Sequence, residues 1–188
     1  MNKILHHPND FEGMRKAGHL AASTLDILVD YVKPGIATEE IDKKAFEFIN
    51  KNGGLIGPLF YKGFPKSLCT SINHVICHGI PSSRILESGD IVNIDVTVIV
   101  DGWHGDTSRM FPVGKISSKA QRLIDCTFDA MHKGIQKVSP IAKLGDLGHA
   151  IQTYAEGEGY SVVREFIGHG IGRSFHEEPQ ILHFGKKN

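Results

Sequence analysis

Asp95 and Asp106 lie in the stretch NIDVTVIVDGWHGDTSR, Asn93 to Arg109, where an apolar pattern carries two acidic side chains. Ile94, Val96, Val98 and Val100 alternate with Asn93, Asp95, Thr97 and Ile99, the period-two pattern of a strand, and Asp101-Gly102 signals a type I′ turn. The turn predicts a hairpin in which Val100 faces Trp103, Ile99 faces His104 and Thr97 faces Asp106. Asp95 then sits diagonally from Asp106 on the same face, roughly 7–8 Å away across the strands. Such a pair can share a proton, face solvent as turn neighbours, or ligate a hard or borderline cation. The cation is the economical solution. Burying both charges uncompensated costs several kcal/mol per ion, whereas one divalent ion neutralises both.

A third candidate is His169 in EFIGHGIGRSFHEEP, where glycines at 168, 170 and 172 strip side chains from the backbone around one imidazole. That pattern predicts a close approach to this histidine. His176 precedes Glu177 and Glu178, but Pro179 and Gln180 follow where a zincin helix and its second histidine would be needed, so H-E-x-x-H is absent. His74, Cys77 and His78 cluster in YKGFPKSLCTSINHVICHGIP, with only Cys69 left to complete a structural zinc site. The segment reads better as a wall, with Tyr61, Phe64 and Cys69 forming an apolar pocket and His78 a polar group at its mouth.

The elements that must position these residues are legible from periodicity. Asn9 or Asp10 can cap a helix with apolar positions Met14, Ala17, Ala21, Leu25, Leu28 and Val32, stopped by Lys33-Pro34-Gly35. Thr38 caps a second, with Ile41, Ala45, Phe48 and Ile49 on one face and Gly53-Gly54 at its end. Leu55 to Phe111 reads as strands and turns. Helical texture returns with a Ser118/Gln121 capping box, an apolar stripe of Phe128, Met131, Ile135 and Val138, a stop at Pro140, and a shorter helix from about Asp146 to Gly157 or Gly159. A shift of 106 residues places Pro34 on Pro140, Glu40 on Asp146, Ile41 on Leu147, Phe48 on Tyr154 and Gly53 on Gly159, as an internal duplication would. The counterpart of Asp95 then falls near position 201, beyond Asn188.

Composition narrows the function. Lys plus Arg and Asp plus Glu are balanced at 21 each, and 40% of residues are hydrophobic. The balance gives no overall electrostatic case for nucleic acid or an acidic membrane. The N-terminus has no apolar signal region, and no stretch approaches 18 uninterrupted apolar residues. Three cysteines, Cys69, Cys77 and Cys126, make neither a disulfide framework nor a CxxC pair, so the expected compartment is the cytoplasm.

SINHVICHGIP, GDIVNIDVTVIVDGWHGDTSRMF and GHGIGRSFHEEPQ resemble, in order, the signature blocks of bacterial type I methionine aminopeptidase, from about Asn9 to the last residues. The resemblance implies an α+β pita-bread fold of two pseudo-symmetric αβ halves in one catalytic domain, the first about 9–113 and the second, incomplete, from about 114. It implies two divalent ions, of cobalt, iron, manganese or zinc, held by Asp95, Asp106 and His169 with two further glutamates expected beyond Asn188. His78 and His176 become the catalytic, substrate-contacting histidines, and Tyr61, Phe64, Cys69 and Phe175 surround the methionine side chain. The implied reaction removes the initiator methionine before a small second residue, by metal-bound hydroxide, from nascent chains, with the ribosome near the exit tunnel as a further partner and a monomer as the active form. It also implies that the 188 residues alone, as a fragment, are inactive. Two other readings are a proline-directed peptidase of the same fold and a non-catalytic peptide-binding or ribosome-associated module.

Overall fold

The computed structural model describes residues 6–187, and contacts divide the chain into two compact units. The first comprises the chain up to Ser117 together with Ile171–Phe175. It contains α1 (Asp10–Leu28), α2 (Thr38–Lys51), β1 (Leu55–Ile56), a single 3-10 turn at Tyr61–Gly63, β2 (Cys69–Ile72), β3 (Ile91–Val100) and β4 (Trp103–Pro112). Asp101 and Gly102 both take positive φ, 51° and 77°, as a type I′ turn requires. The hairpin register follows: Val100 pairs with Trp103, Ile99 with His104 and Thr97 with Asp106. β4 runs along one edge of β3, while β1 and β2 pair antiparallel with different stretches of the other.

Alternation along β3 builds the core. Ile94, Val96 and Val98 are fully buried against Leu20, Leu25 and Leu28 of α1 and Ile41 and Ile49 of α2, each side chain contributing about 1.5–3 kcal/mol. The intervening residues, Asp95 among them, are turned to the opposite face of the sheet. Backbone approach is tight on the core side. A Cβ on Gly105 would lie 2.3 Å from the carbonyl carbon of Ala17 and 2.4 Å from its oxygen, so α1 rests on β4 at that point. Gly105→Ala must lift the helix and is expected to cost about 1–3 kcal/mol, seen as a lower urea midpoint at unchanged slope. A parental midpoint would contradict that close seating.

Three details of the helices differ from expectation. α1 ends at Leu28 rather than running to the Lys33-Pro34-Gly35 stop, because Val29 N–H already bonds Asp26 and Tyr31 N–H bonds Leu28 in tight three-residue turns. Asn9 makes no side-chain cap; instead the Asp10 carboxylate accepts the His7 N–H at 2.8 Å. Thr38 lies inside α2, whose N-cap is Ala37; the Glu40 carboxylate accepts the Ala37 N–H at 2.9 Å. The Thr38 hydroxyl is spent elsewhere, donating to the Ser82 carbonyl and accepting the Ser82 N–H.

The second unit, Ser118–Gly170 with the chain from His176 onward, contains α3 (Ser118–Ile135), α4 (Leu144–Gly157), β5 (Gly168–Gly170) and β6 (Glu177–Ile181). Gln121 does not reach back to form a capping box; its amide donates to Asp125. α3 buries Cys126, Ala130 and Gly134, with Gly134 against Ile151 of α4, while Phe128, Met131, Ile135 and Val138 remain exposed. The duplication is visible in local geometry. α2 and α4 are both 14 residues long. The Lys143 N–H bonds Asp146 as Ala37 bonds Glu40, and Gly53 and Gly159 close the two helices at φ 76° and 83°. Every one of these correspondences falls at the 106-residue offset.

Candidate functional site

In the first unit the hairpin turns Asp95 and Asp106 to one face on adjoining strands. Asp95 is half-buried, Asp106 is exposed, and the Thr97 hydroxyl, itself buried, donates to Asp106 Oδ1 at 3.0 Å. Burial raises the pKa of Asp95 well above the ordinary carboxylate range, and the charge of Asp106 and a hydrogen bond with it add to the rise. Two hard oxygen donors side by side, one of them half-buried, are a donor set suited to a divalent cation, which would offset the burden on Asp95. Among the described residues, no group of three or more His, Cys, Asp and Glu is arranged to hold a metal ion; the carboxylate pair is what the first unit assembles.

Cys69 pairs in register with Asp95 across β2 and β3. Burial pushes its thiol up to about 12, helped by Asp95, Cys77 and Asp106. It is therefore a neutral thiol at physiological pH, an apolar surface rather than a thiolate nucleophile or ligand. Tyr61 and Phe64 come from the 3-10 turn and its exit, where Phe64 N–H bonds the Tyr61 carbonyl at 3.0 Å. The Tyr61 ring meets Phe175 at 4.9 Å between centroids, so two of the expected pocket residues, far apart in sequence, are neighbours.

His78 belongs to the long connection between β2 and β3. That connection is tied down by Asp90, which is buried, and whose carboxylate accepts bonds from Asn73 Nδ2 at 2.8 Å, the Glu87 N–H at 3.0 Å and Arg84 at 3.3 Å. Next to His78, the Gly79 carbonyl accepts the Thr70 N–H at 2.8 Å and its own N–H donates to Ser71 Oγ at 3.1 Å. His78 itself is exposed and held at φ 57°.

The second unit carries the other two histidines. His169 sits at the centre of β5, opposite Gln180 of β6. Its Nδ1 lies 2.9 Å from the Gly170 carbonyl. A carbonyl only accepts, so Nδ1 is the donor in this contact, which leaves Nε2 as the nitrogen a metal would use. The His176 ring is 4.2 Å away, tilted 41°. The close approach signalled by the glycines has a structural cause as well: a Cβ on Gly170 would lie 2.3 Å from the Glu178 carbonyl oxygen of β6. The glycines let the two strands of this ribbon meet. Glu177 and Glu178 lie on β6, an extended segment rather than a helix.

His104 and Arg173 carry contacts that sequence reasoning left aside. His104, two positions before Asp106, stacks on Phe175 at 5.8 Å and 18°, and Arg173 lies over Trp103 at 4.0 Å. The hairpin register already put His104 on the face of Asp106; nothing local announced the partner of Arg173.

Residues 12–188 match the sequence profile of metallopeptidase family M24. The methionine aminopeptidase of Rickettsia prowazekii is 58% identical over 182 residues, a span covering 97% of this chain and 70% of that protein. The crystal structure of methionine aminopeptidase from Rickettsia prowazekii superposes with a TM-score of 0.96, covering 97% of this chain and 74% of the other. Prolidase from Pyrococcus furiosus, at 20% identity, superposes with a TM-score of 0.84 over 98% of this chain and 53% of its own, a likeness of fold.

Proposed function

The chain belongs to metallopeptidase family M24 and has its pita-bread fold, and from that premise we propose that it removes the N-terminal initiator methionine from nascent proteins whose second residue is small. Family membership implies divalent metal ions. What carries this reading is the Asp95–Asp106 pair, two carboxylates set on adjoining strands, with burial and the neighbouring Asp106 raising the pKa of Asp95.

In this reading Asp95, Asp106 and His169 would hold two divalent ions together with two glutamates expected beyond Asn188, the histidine through Nε2, its Nδ1 facing the Gly170 carbonyl. Nitrogen and oxygen ligands suit cobalt, iron, manganese or zinc. Bound there, the ions would supply Lewis acidity and lower the pKa of a water to near neutrality. The protein's own residues do the rest. Asp95 and Asp106 compensate the positive charge, and Thr97 holds the Asp106 carboxylate in place. His78 and His176 hydrogen-bond the scissile amide and the negative charge that develops on its oxygen. Tyr61, Phe64, Cys69 and Phe175 surround the methionine side chain and keep water from it; the neutral Cys69 thiol makes that wall compatible with a thioether.

The partners of this activity are the N-termini of nascent chains, with the ribosome near its exit tunnel as the place of encounter, the cytoplasm as the compartment and a monomer as the working form. No helix among the described residues is long and apolar enough to cross a membrane.

The test is a comparison of peptides on protein supplied in turn with each candidate metal. In the longer protein expected to carry the two further glutamates, Met-Ala-Ser should lose its methionine while Ala-Pro-Ser and Met-Lys-Ser should not, and the 188 residues alone should cleave none of the three. Release from Ala-Pro-Ser alone would establish a proline-directed peptidase instead, and tight peptide binding with no cleavage of any of the three would establish a binding module.

A further inference from the structure

The segment Ile171–Phe175 packs with the first unit although its neighbours in sequence, Gly170 and His176, belong to the second. Its fixed point is Arg173. The guanidinium lies 4.0 Å from the Trp103 ring centroid and donates to the Asp101 carbonyl at the hairpin turn, 2.6 Å away. One residue earlier, the Gly172 carbonyl accepts the His104 N–H at 2.9 Å and a second bond from His104 Nδ1 at 3.1 Å. Two residues later, Phe175 is caught between the His104 ring at 5.8 Å and the Tyr61 ring at 4.9 Å.

We infer that Arg173 is a positioning residue for methionine selection, clamping the Ile171–Phe175 segment to the tip of the β3–β4 hairpin so that Phe175 is held against Tyr61. The inference rests on the proposed role of Tyr61 and Phe175 as walls for the methionine side chain. The backbone of the segment is held at Gly172, by His104 and by a turn in which the Gly172 N–H bonds the Ser174 carbonyl at 3.2 Å, which leaves the side chain of Phe175, three residues on, to be steadied by other contacts. Ring–ring contacts set the distance of Phe175 but leave it free to slide. A planar cation stacked on an indole and bonded to a backbone carbonyl resists both sliding and lifting, which an ammonium point charge does less well. Without this anchor the wall is formed in only a fraction of molecules, and apparent affinity falls by that fraction while the chemical step keeps its geometry. Arg173 therefore acts on KM and on side-chain discrimination, and does so without touching substrate.

Trp103 is the only tryptophan, so its emission reports the stack independently of turnover. In the longer protein expected to carry the two further glutamates, Arg173→Gln, Arg173→Lys and Trp103→Phe should be compared with the parent, all metal-loaded, on Met-Ala-Ser and Leu-Ala-Ser. In Arg173→Gln, KM for Met-Ala-Ser should rise about tenfold with kcat within about twofold, if the formed wall becomes a minority state. Its preference for methionine over leucine should fall, its metal content should stay parental, and its Trp103 emission should shift. Arg173→Lys should lie between, and Trp103→Phe, which keeps a ring face under the cation, should stay near the parent. Parental KM and discrimination in Arg173→Gln, with emission showing the stack lost, would overturn the inference and leave the peptidase reading intact. Should Arg173→Gln not fold, the same readings on Arg173→Lys decide the matter. Absence of methionine release by the metal-loaded parent would instead defeat the peptidase reading, and this inference with it.

Discussion

Metal content and methionine release are expected to collapse together when Asp106→Asn is made in the longer protein expected to carry the two further glutamates. The substitution keeps shape and a hydrogen-bonding oxygen for Thr97, which donates to Asp106 Oδ1 at 3.0 Å, but removes the negative charge. Loss of a supporting partner around a metal typically costs about 10–100-fold, and loss of a ligand should exceed that in both affinity and activity. Elemental analysis and peptide turnover on the same preparation check it; parental stoichiometry with parental turnover would remove Asp106 from the site. In metal-free protein the pair leaves a second signature. The folded-state pKa of Asp95 is raised by burial, by the charge of Asp106 and by their hydrogen bond, so the folded chain keeps that proton to higher pH than the unfolded chain does. Its contribution to stability is present in acid and is lost as pH rises from the ordinary aspartate value through the raised one. Asp95→Asn should flatten that decline and, near neutrality, make the metal-free protein more stable while it binds less metal. Thermal unfolding of both proteins without metal, from about pH 4 to pH 8, measures it, and an equally steep decline in the variant would assign the slope to another group.

His169→Ala and His78→Ala should fail in different ways. His169 presents Nε2 because Nδ1 is committed to the Gly170 carbonyl, so its removal should empty the site of metal. His78 lies in the connection pinned by Asp90, next to Gly79, which bonds Thr70 and Ser71 of β2. Its removal should leave metal bound and lower kcat by the equivalent of about 2.7–4 kcal/mol, the range for losing one donor to a developing oxyanion. Equal metal loss in the two variants would make His78 a ligand or a structural support and end the division of roles.

Much of this arrangement is legible along the chain because it is local. Asp101-Gly102 fixes the turn, the turn fixes the register, and the register carries Asp95, Thr97, His104 and Asp106 to one face without any tertiary knowledge. Helix ends were less legible: Val32 continues the buried stripe of α1, yet the backbone has already tightened after Leu28. Periodicity records which residues are covered, and it does not record where hydrogen bonding changes from one turn type to another. Thr38 shows the same ambiguity, since a hydroxyl that could cap its own helix is bonded to Ser82 instead. The meeting of Phe175 with Tyr61 and of Arg173 with Trp103 was illegible for a different reason. Each joins distant positions through generic chemistry, a ring on a ring and a cation on a ring, and no residue in either stretch specifies its partner. The glycines around His169 signalled a close approach correctly, but the nearest approaching group at Gly170 is the backbone of β6.

The placement of Ile171–Phe175 within the first unit also has a meaning in time. Ribosomes deliver a chain from its N-terminus, and a domain made only of the chain up to Ser117 could close as soon as that residue had cleared the exit. Here the last piece of the first unit is not delivered until Phe175 emerges, after most of the second unit's residues. At about 5–20 residues per second this is a wait of several seconds. During it the hairpin tip, Trp103 and the ring of Tyr61 stand without the segment that packs with them in the finished unit.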